Sequence, residues 1–401
     1  MIYLDVTSAA VSPMNTGVQR SIRGIYQSLQ EDCAQTHTHG VRPMRWDFSG
    51  RCYAALSGRE GRFLTEPFAN YNRAAAWPGF GGWLAGKEAF RDRWTHKRRR
   101  MTMDVLLKEE DTLLIPDLCW DTRIHSWERI SRLPGKKVAF FHDAMPLRIK
   151  GQPLSKDKLF AEYVRKLGFM DLVICVSQEV EQDLLHFWKE YGVVPARTKV
   201  LPWPVQFHGE RPRNVPNQAS GKLIYVSRLR LRKNHLVLLE ACDLLWGKGR
   251  TFSLDLIGVA DTLVDTHRIL SRVRQSASNG RPVRWLRHVS DEGLHEAYRD
   301  SAFTLFPSRM EGFGLPILES LWHGRPVICG SNGAIGEVSA GGGCLQVDQN
   351  DPVDLARGIQ SLLDDKELYN RLHREASTRE FHSWADYRGE MLSAIESLVA
   401  A

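Results

Sequence analysis

Glu311 and Glu319, with seven residues between them, bracket the segment Glu311-Gly-Phe-Gly-Leu-Pro-Ile-Leu-Glu319. The apolar run 302–306 before it has the length of a buried strand, and Pro307 closes that strand because proline donates no ladder hydrogen bond. Gly312 and Gly314 allow a close backbone approach or a positive φ. Pro316 suits the first helical position, and Glu319 then falls in the first turn, where a carboxylate complements the helix dipole. Taken singly, Glu319 reads equally as a dipole-complementing residue and Glu311 as a solvated loop acid. Taken together they flank a helix N-terminus that follows a strand. Such a turn is an anion site, and acids beside it suit polyol hydroxyls better than a bare phosphate. The chemistry indicated is a sugar carried on a phosphate.

Two further clusters must be brought to that turn. Arg228 and Lys233 follow the strand-like run 223–226, and the segment after them carries apolar residues at 236, 238, 239 and 242 with helical spacing. Two fixed cations beside a helix N-terminus suit a diphosphate, on which charge grows as a glycosidic bond breaks. Arg230 and Arg232 read as spare surface charges. His142 and Asp143 come directly after the run 137–141, and in open α/β sheets functional groups gather beyond the carboxyl ends of strands. Near the start, the run 2–6 is followed by Thr16-Gly17 and a helical pattern with apolar residues at 18, 22, 25, 26 and 29. Thr16 is a candidate N-cap, with Gly17 and Arg20 in the first turn of that helix.

These stretches resemble a known family. Glu-Gly-Phe-Gly-Leu-Pro-Ile-Leu-Glu is similar to the E-x7-E motif of retaining GT-B glycosyltransferases of family 4, also called group 1. The segments 222–235, 324–330 and 333–338 resemble the family's phosphate-binding loop and its next strand and turn. The resemblance is strong over 221–375 and also reaches bacterial polysaccharide mannosyltransferases. It implies an α/β GT-B fold: two Rossmann-like domains, a deep interdomain cleft, and a C-terminal helix crossing back to the N-domain. The expected boundaries are 1–207 for an acceptor-binding domain, 208–220 for a linker rich in Pro, Asn and Arg, 221–380 for a nucleotide-sugar-binding domain, and 381–401 for the returning helix.

The resemblance also implies roles. Arg228 and Lys233 stabilise the leaving diphosphate, Glu311 binds donor-sugar hydroxyls, and His142 contacts the transferred sugar, making these four the expected catalytic set. Glu319 binds the nucleotide ribose, and Asp143 orients its loop or the imidazole. Gly312, Phe313, Gly314 and Leu315 complete the donor turn, with Gly17 and Arg20 facing the donor phosphates. Retention is implied as well. With no compelling carboxylate nucleophile, the expected route is same-face attack by the acceptor hydroxyl. The donor sugar is expected to be a hexose, first mannose from GDP-mannose, with UDP- and dTDP-sugars as alternatives. The chain has no D-x-D pair, so neither a catalytic metal nor a cofactor is expected. A non-catalytic sugar-nucleotide-binding protein and a glycosidase are the rival classes.

Composition sets bounds on this reading. A length of 401 residues exceeds what one core serves, so two domains are expected. With 43% hydrophobic and 25% charged residues, disorder and fibre are excluded. Seven cysteines without a C-x-x-C pair fit thiols in a reducing compartment, so the expected location is cytoplasmic. The first residues lack the features of a signal peptide, and no apolar run reaches bilayer length. A formal charge of +7 favours anionic partners. The basic, Trp-bearing segment 87–101 reads either as a solvated helix face or as a surface for anionic membrane, where a lipid-linked acceptor would lie. No nucleic-acid partner is expected, because no binding module surrounds that patch.

Overall fold

The computed structural model describes residues 1–11, 16–36, 40–65, 100–101, 107–149, 154–205, 207, 211–212, 215–260, 264–287 and 289–398. The chain divides into two compact units, Met1–Pro204 with His382–Ala401, and Val205–Phe381. The Gly- and aromatic-rich sequence Pro78-Gly-Phe-Gly-Gly-Trp83, too weak a pattern to read as a nucleotide-binding motif, lies outside the described residues. So does the basic segment 87–101, apart from the backbone of Arg100–Met101.

The first unit is built on an eight-stranded sheet. Its strands are β1 (Ile2–Asp5), β2 (Val41–Asp47), β3 (Cys52–Ala55), β4 (Arg100–Met101), β5 (Thr112–Ile115), β6 (Lys136–Phe141), β7 (Leu172–Cys175) and β8 (Arg197–Val200), in the spatial order β4-β3-β2-β1-β5-β6-β7-β8. Pairing is parallel from β2 to β8, and only β3 and β4 join antiparallel. β1, β5 and β7 are buried along their whole length, as expected of parallel strands covered on both faces. β8 alternates between exposed and half-buried residues, as suits an edge.

The second unit holds β9 (Lys222–Val226), β10 (Ser253–Ile257), β11 (Val283–Leu286), β12 (Phe303–Phe306), β13 (Val327–Cys329) and β14 (Cys344–Gln346). All pairs are parallel in the order β11-β10-β9-β12-β13-β14. Counted within the unit, this is the doubly wound order 3-2-1-4-5-6. The connections change direction between β9 and β12, and in the first unit between β1 and β5. At such switch points the loops beyond the strand ends diverge and leave a crevice.

The C-terminal helix Trp384–Glu396 belongs to the first unit. Ser383 and Asp386 form a reciprocal capping box at its start. It packs on the helix Gly17–Thr36, where the Ser28 hydroxyl donates to the Trp384 carbonyl (3.0 Å) and Arg388 pairs with Asp32 (3.3 Å). Gly24 admits the Trp384 ring so closely that any Cβ there would overlap it. In the second unit, Arg211 donates to the carbonyls of Leu321, Trp322, Ala376, Ser377 and Arg379. It thereby satisfies the C-terminal carbonyls of the helices Leu315–Trp322 and Lys366–Thr378. Among the described residues no helix is long and apolar enough to cross a membrane.

Candidate functional site

The switch point of the second sheet gathers most of the predicted donor residues. After β9, the chain passes Ser227 and Arg228, makes a single 3-10 turn at Leu231–Lys233, and reverses at Asn234. Asn234 has φ 62°, a left-handed conformation that asparagine tolerates, and its side chain donates to the Gln349 carbonyl (2.5 Å). The helix His235–Gly247 then begins. The loop after β10 presses against the same stretch, where a Cβ on Gly258 would overlap the Ser227 carbonyl. Lys233 therefore comes from the loop after β9 and Glu311 from the loop after β12, the two strands that flank the switch point.

Glu311 binds Lys233 Nζ through Oε1, and its Oε2 accepts from Arg232 Nη1 (3.0 Å). Arg232 Nη1 also donates to the Met310 carbonyl (3.1 Å), and the Arg309 amide donates to the Arg232 carbonyl (2.9 Å), so the two loops are laced together. Tyr225 supports the cluster from below, its hydroxyl donating to the Lys233 carbonyl (2.7 Å) and lying 3.1 Å from Ser308 Oγ. Burial alone would raise the Glu311 pKa, but Lys233, Arg232 and the Ser308 hydroxyl hold it at about 2. Burial lowers Lys233 to about 8 against the pull of Glu311, so the ammonium is charged at neutral pH and close to titrating above it. Arg232 is thus not the spare surface charge expected from the sequence. The neighbouring acid recruits it, and its side chain is only 22% exposed. Arg228 is half-buried on the same loop, five residues before Lys233.

The donor turn has the predicted strand, glycine and helix order, with one shift. Gly314 is the N-cap, at φ 117° and ψ 44°, so the helix Leu315–Trp322 starts one residue before Pro316. Pro316 is therefore the second helical residue, and Glu319 lies beyond the first turn, on the buried face rather than at the dipole end. Its Oε2 accepts a hydrogen bond from the Tyr298 hydroxyl (2.9 Å), on the helix Asp291–Asp300. Gly312 and Phe313 are buried between the two acids, and Leu315 is half-buried.

In the first unit, His142 follows β6 and is buried. Its Nε2 lies 2.8 Å from the Pro116 carbonyl, which can only accept, so Nε2 carries the proton. Burial lowers the imidazole pKa, outweighing the Pro116 carbonyl, Asp143 and Asp117, and leaves a neutral ring whose Nδ1 is an acceptor. Asp143 Oδ1 accepts from the Met145 amide (3.0 Å), which ties down the loop after β6. Gly17 opens its helix as predicted, and Gln19 Oε1 reaches back to the Thr16 amide and hydroxyl (both 3.1 Å). Arg20 is half-buried in the first turn.

Sequence reasoning missed a buried ionic network beside His142. Arg123 donates to Asp5 (3.0 Å), Asp117 (3.0 Å) and Asp121 (2.7 Å). Tyr53 donates to Asp5 Oδ2 (3.0 Å), and the Thr7 amide and hydroxyl bind Asp5 Oδ1. Its one sequence signal is the acid closing the first apolar run; the partners stand up to 118 positions away. Tyr298 and Ser308 were also missed, since neither lies in a recognisable local pattern with the acid it serves.

With this geometry in hand, the comparisons with known proteins are specific. Residues 208–379 match the family described as Glycosyl transferases group 1. The serotype-specific mannosyltransferase WbdA of Escherichia coli is 29% identical over 257 residues, covering 56% of this chain and 30% of that protein. The O-antigen chain mannosyltransferase B of Escherichia coli is 32% identical over 181 residues, covering 44% of this chain and 46% of that protein. The chain thus spans less than half the length of these curated relatives. Among solved structures, sucrose-phosphate synthase from Thermosynechococcus elongatus aligns with a TM-score of 0.67 at 17% identity, over 100% of this chain and 99% of that one. HepE from Anabaena, in complex with UDP and glucose, aligns at 0.60 with 14% identity, over 99% of both chains. At such identities the structural likeness speaks for fold alone. Residues 208–379 are thus similar to the glycosyl transferases group 1 family, and the chain has the two-domain GT-B fold and resembles bacterial polysaccharide mannosyltransferases.

Proposed function

We propose that this chain transfers a hexose, with retention, from a nucleotide diphosphate sugar to a hydroxyl of a glycan or lipid-linked oligosaccharide in polysaccharide biosynthesis. The observation that carries the reading is the Lys233–Glu311–Arg232 cluster at the switch point of the second sheet. It sets cations for a diphosphate against an acid for sugar hydroxyls. Donor binding exchanges partners: the diphosphate takes Lys233, Arg228 and Arg232, and Glu311 turns to the sugar. Backbone N–H groups from Gly312 to Leu315 assist at the phosphates, and Gly17 and Arg20 are assigned to the phosphates as well. Glu319 takes the ribose, and His142 meets the transferred sugar.

In the reaction the bond from the anomeric carbon to the diphosphate breaks, and the acceptor hydroxyl bonds to that carbon on the same face. Its proton passes to the departing phosphate oxygen. The fixed cations stabilise the charge growing on the diphosphate, so the reading assigns no step to a metal. A glycosyl-enzyme trapped on Glu311 would overturn the same-face route in favour of double displacement.

GDP-mannose is the first donor to test because two relatives are named mannosyltransferases. UDP- and dTDP-sugars are the alternatives. The lipid-linked acceptor and a peripheral place on the cytoplasmic membrane face rest on the basic, Trp-bearing sequence 87–101. The test is calorimetric titration of GDP, UDP and dTDP, without metal, into wild type, Arg228→Ala and Lys233→Ala, followed by a turnover assay with the matching sugar nucleotide. Selective binding that both variants weaken, together with turnover, supports the reading. Binding without turnover on any glycan or lipid-linked acceptor favours a non-catalytic sugar-nucleotide-binding protein. No binding of any nucleotide sinks the donor site.

A further inference from the structure

The residue that best explains the orientation of His142 lies outside every predicted motif. Trp203 follows β8 in Leu201-Pro202-Trp203-Pro204, where the chain leaves the first unit, and it is buried. Its ring stacks on three others: His142 (centroids 5.9 Å apart, planes at 18°), Phe140 (5.5 Å, 10°) and Tyr387 (5.2 Å, 24°). Trp384 leans on it at 6.4 Å. Phe140 lies in β6 two residues before His142, whereas Trp384 and Tyr387 come from the C-terminal helix that returns to this unit. The flanking prolines limit the backbone on either side of Trp203.

We propose that Trp203 is a positioning residue: by clamping the plane of the His142 imidazole while the Pro116 carbonyl holds Nε2–H, it keeps Nδ1 as a fixed acceptor for a hydroxyl of the donor sugar. Two constraints are needed because one hydrogen bond leaves the ring free to pivot about it. Stacking removes that freedom, and burial on both sides keeps water from competing for the ring. The charged groups facing the imidazole are Asp143 on its own loop and Asp117 after β5, and both favour the protonated ring. The Trp203 face opposes them by excluding solvent. That Nδ1 meets a sugar rests on the transferase reading; that Trp203 fixes the ring does not.

The experiment records imidazole nitrogen resonances of the full chain, with His142→Asn assigning the signal, for wild type, Trp203→Leu, Trp203→Phe and Tyr387→Leu. Wild type is expected to show the Nε2–H tautomer alone, neutral at pH 7. Trp203→Leu is expected to mix tautomers and move the titration towards the ordinary value of 6.5, and Trp203→Phe to restore both. With an active donor, kcat of Trp203→Leu falls about tenfold while KM changes less than about threefold, as for a misplaced contact made in the transition state. Unchanged His142 resonances in folded Trp203→Leu overturn the proposal. Should that variant fail to fold, Tyr387→Leu, which unbacks the far face of Trp203, must shift the His142 signal, and an unmoved signal overturns it. If no sugar nucleotide is turned over, the transferase reading fails while the resonances still decide the role of Trp203.

Discussion

Both units put charged side chains at the switch point of a parallel sheet, and they use them in opposite ways. Between β1 and β5, Arg123 is enclosed by Asp5, Asp117 and Asp121, and all three of its guanidinium nitrogens donate to carboxylates. The side chains of Arg123 and Asp5 are 3% and 0% exposed. Burial raises the Asp5 pKa against the pull of Arg123, and four of the five guanidinium N–H groups donate to the surrounding carboxylates. Between β9 and β12, Lys233 and Glu311 also pair, but at 11% and 9% exposure, with Arg232 at 22%. That cluster can trade partners at its outer edge. On the proposed function, the switch point is thus a plug in one unit and a socket in the other, and solvent access separates the two roles.

The difference can be broken most sharply at the plug. Arg123→Met removes the cation that bridges Asp5 and Asp117, and an uncompensated buried charge destabilises by about 3–5 kcal/mol. Hydrogen exchange of the β1 and β5 amides should report the loss; unchanged protection would mean that the network is ornamental. Lys233→Ala, at the socket, should do the reverse. Nucleoside diphosphate affinity is expected to fall by about 2–3 kcal/mol, or roughly 30–150-fold, while unfolding shifts by less than about 1 kcal/mol because Arg232 still serves Glu311. A larger stability effect than affinity effect, measured by denaturation and calorimetry, would reclassify the socket as a second plug.

The third prediction uses pH. Lys233 titrates at about 8, and a bound diphosphate requires its charged form. Affinity should therefore be insensitive to this group below pH 8 and weaken by up to about tenfold per pH unit above it, with the slope absent in Lys233→Ala. A slope that survives the substitution would assign the titration to another group. The smallest effect is expected from Tyr298→Phe, which deletes the hydrogen bond to Glu319 Oε2 and should lower stability by about 1 kcal/mol. If nucleotide affinity falls instead with stability unaltered, the Tyr298 hydroxyl serves chiefly to aim Glu319 at the ribose.

The socket was legible in the sequence because its parts lie in short runs: an apolar strand, a glycine turn and an acid, then a second strand with cations behind it. The plug was not, since Asp5 and Arg123 meet only once β1 and β5 pair, and pairing leaves no local mark. Arg232 illustrates a subtler limit. Its charge was visible beside Lys233, but which of several adjacent arginines turns inward depends on Met310 and Glu311, nearly eighty positions on. Glu319 was placed correctly on its helix and wrongly in depth, because Gly314 rather than a later residue supplies the cap. The helix starts one residue earlier, which leaves Glu319 about 1.5 Å further from the dipole end.

Gly24 makes room for Trp384, so the first unit is finished by a helix encoded after the whole of the second. During synthesis the chain emerges from its N-terminus at about 5–20 residues per second, and domains fold as they become complete. Here the order of emergence and the order of completion part ways. Residues 205–381 can close their sheet as soon as they are exposed, while the first unit waits with the groove beside Gly24 uncovered. An arrested chain ending near residue 381 would then hold a finished second unit and an unfinished first one.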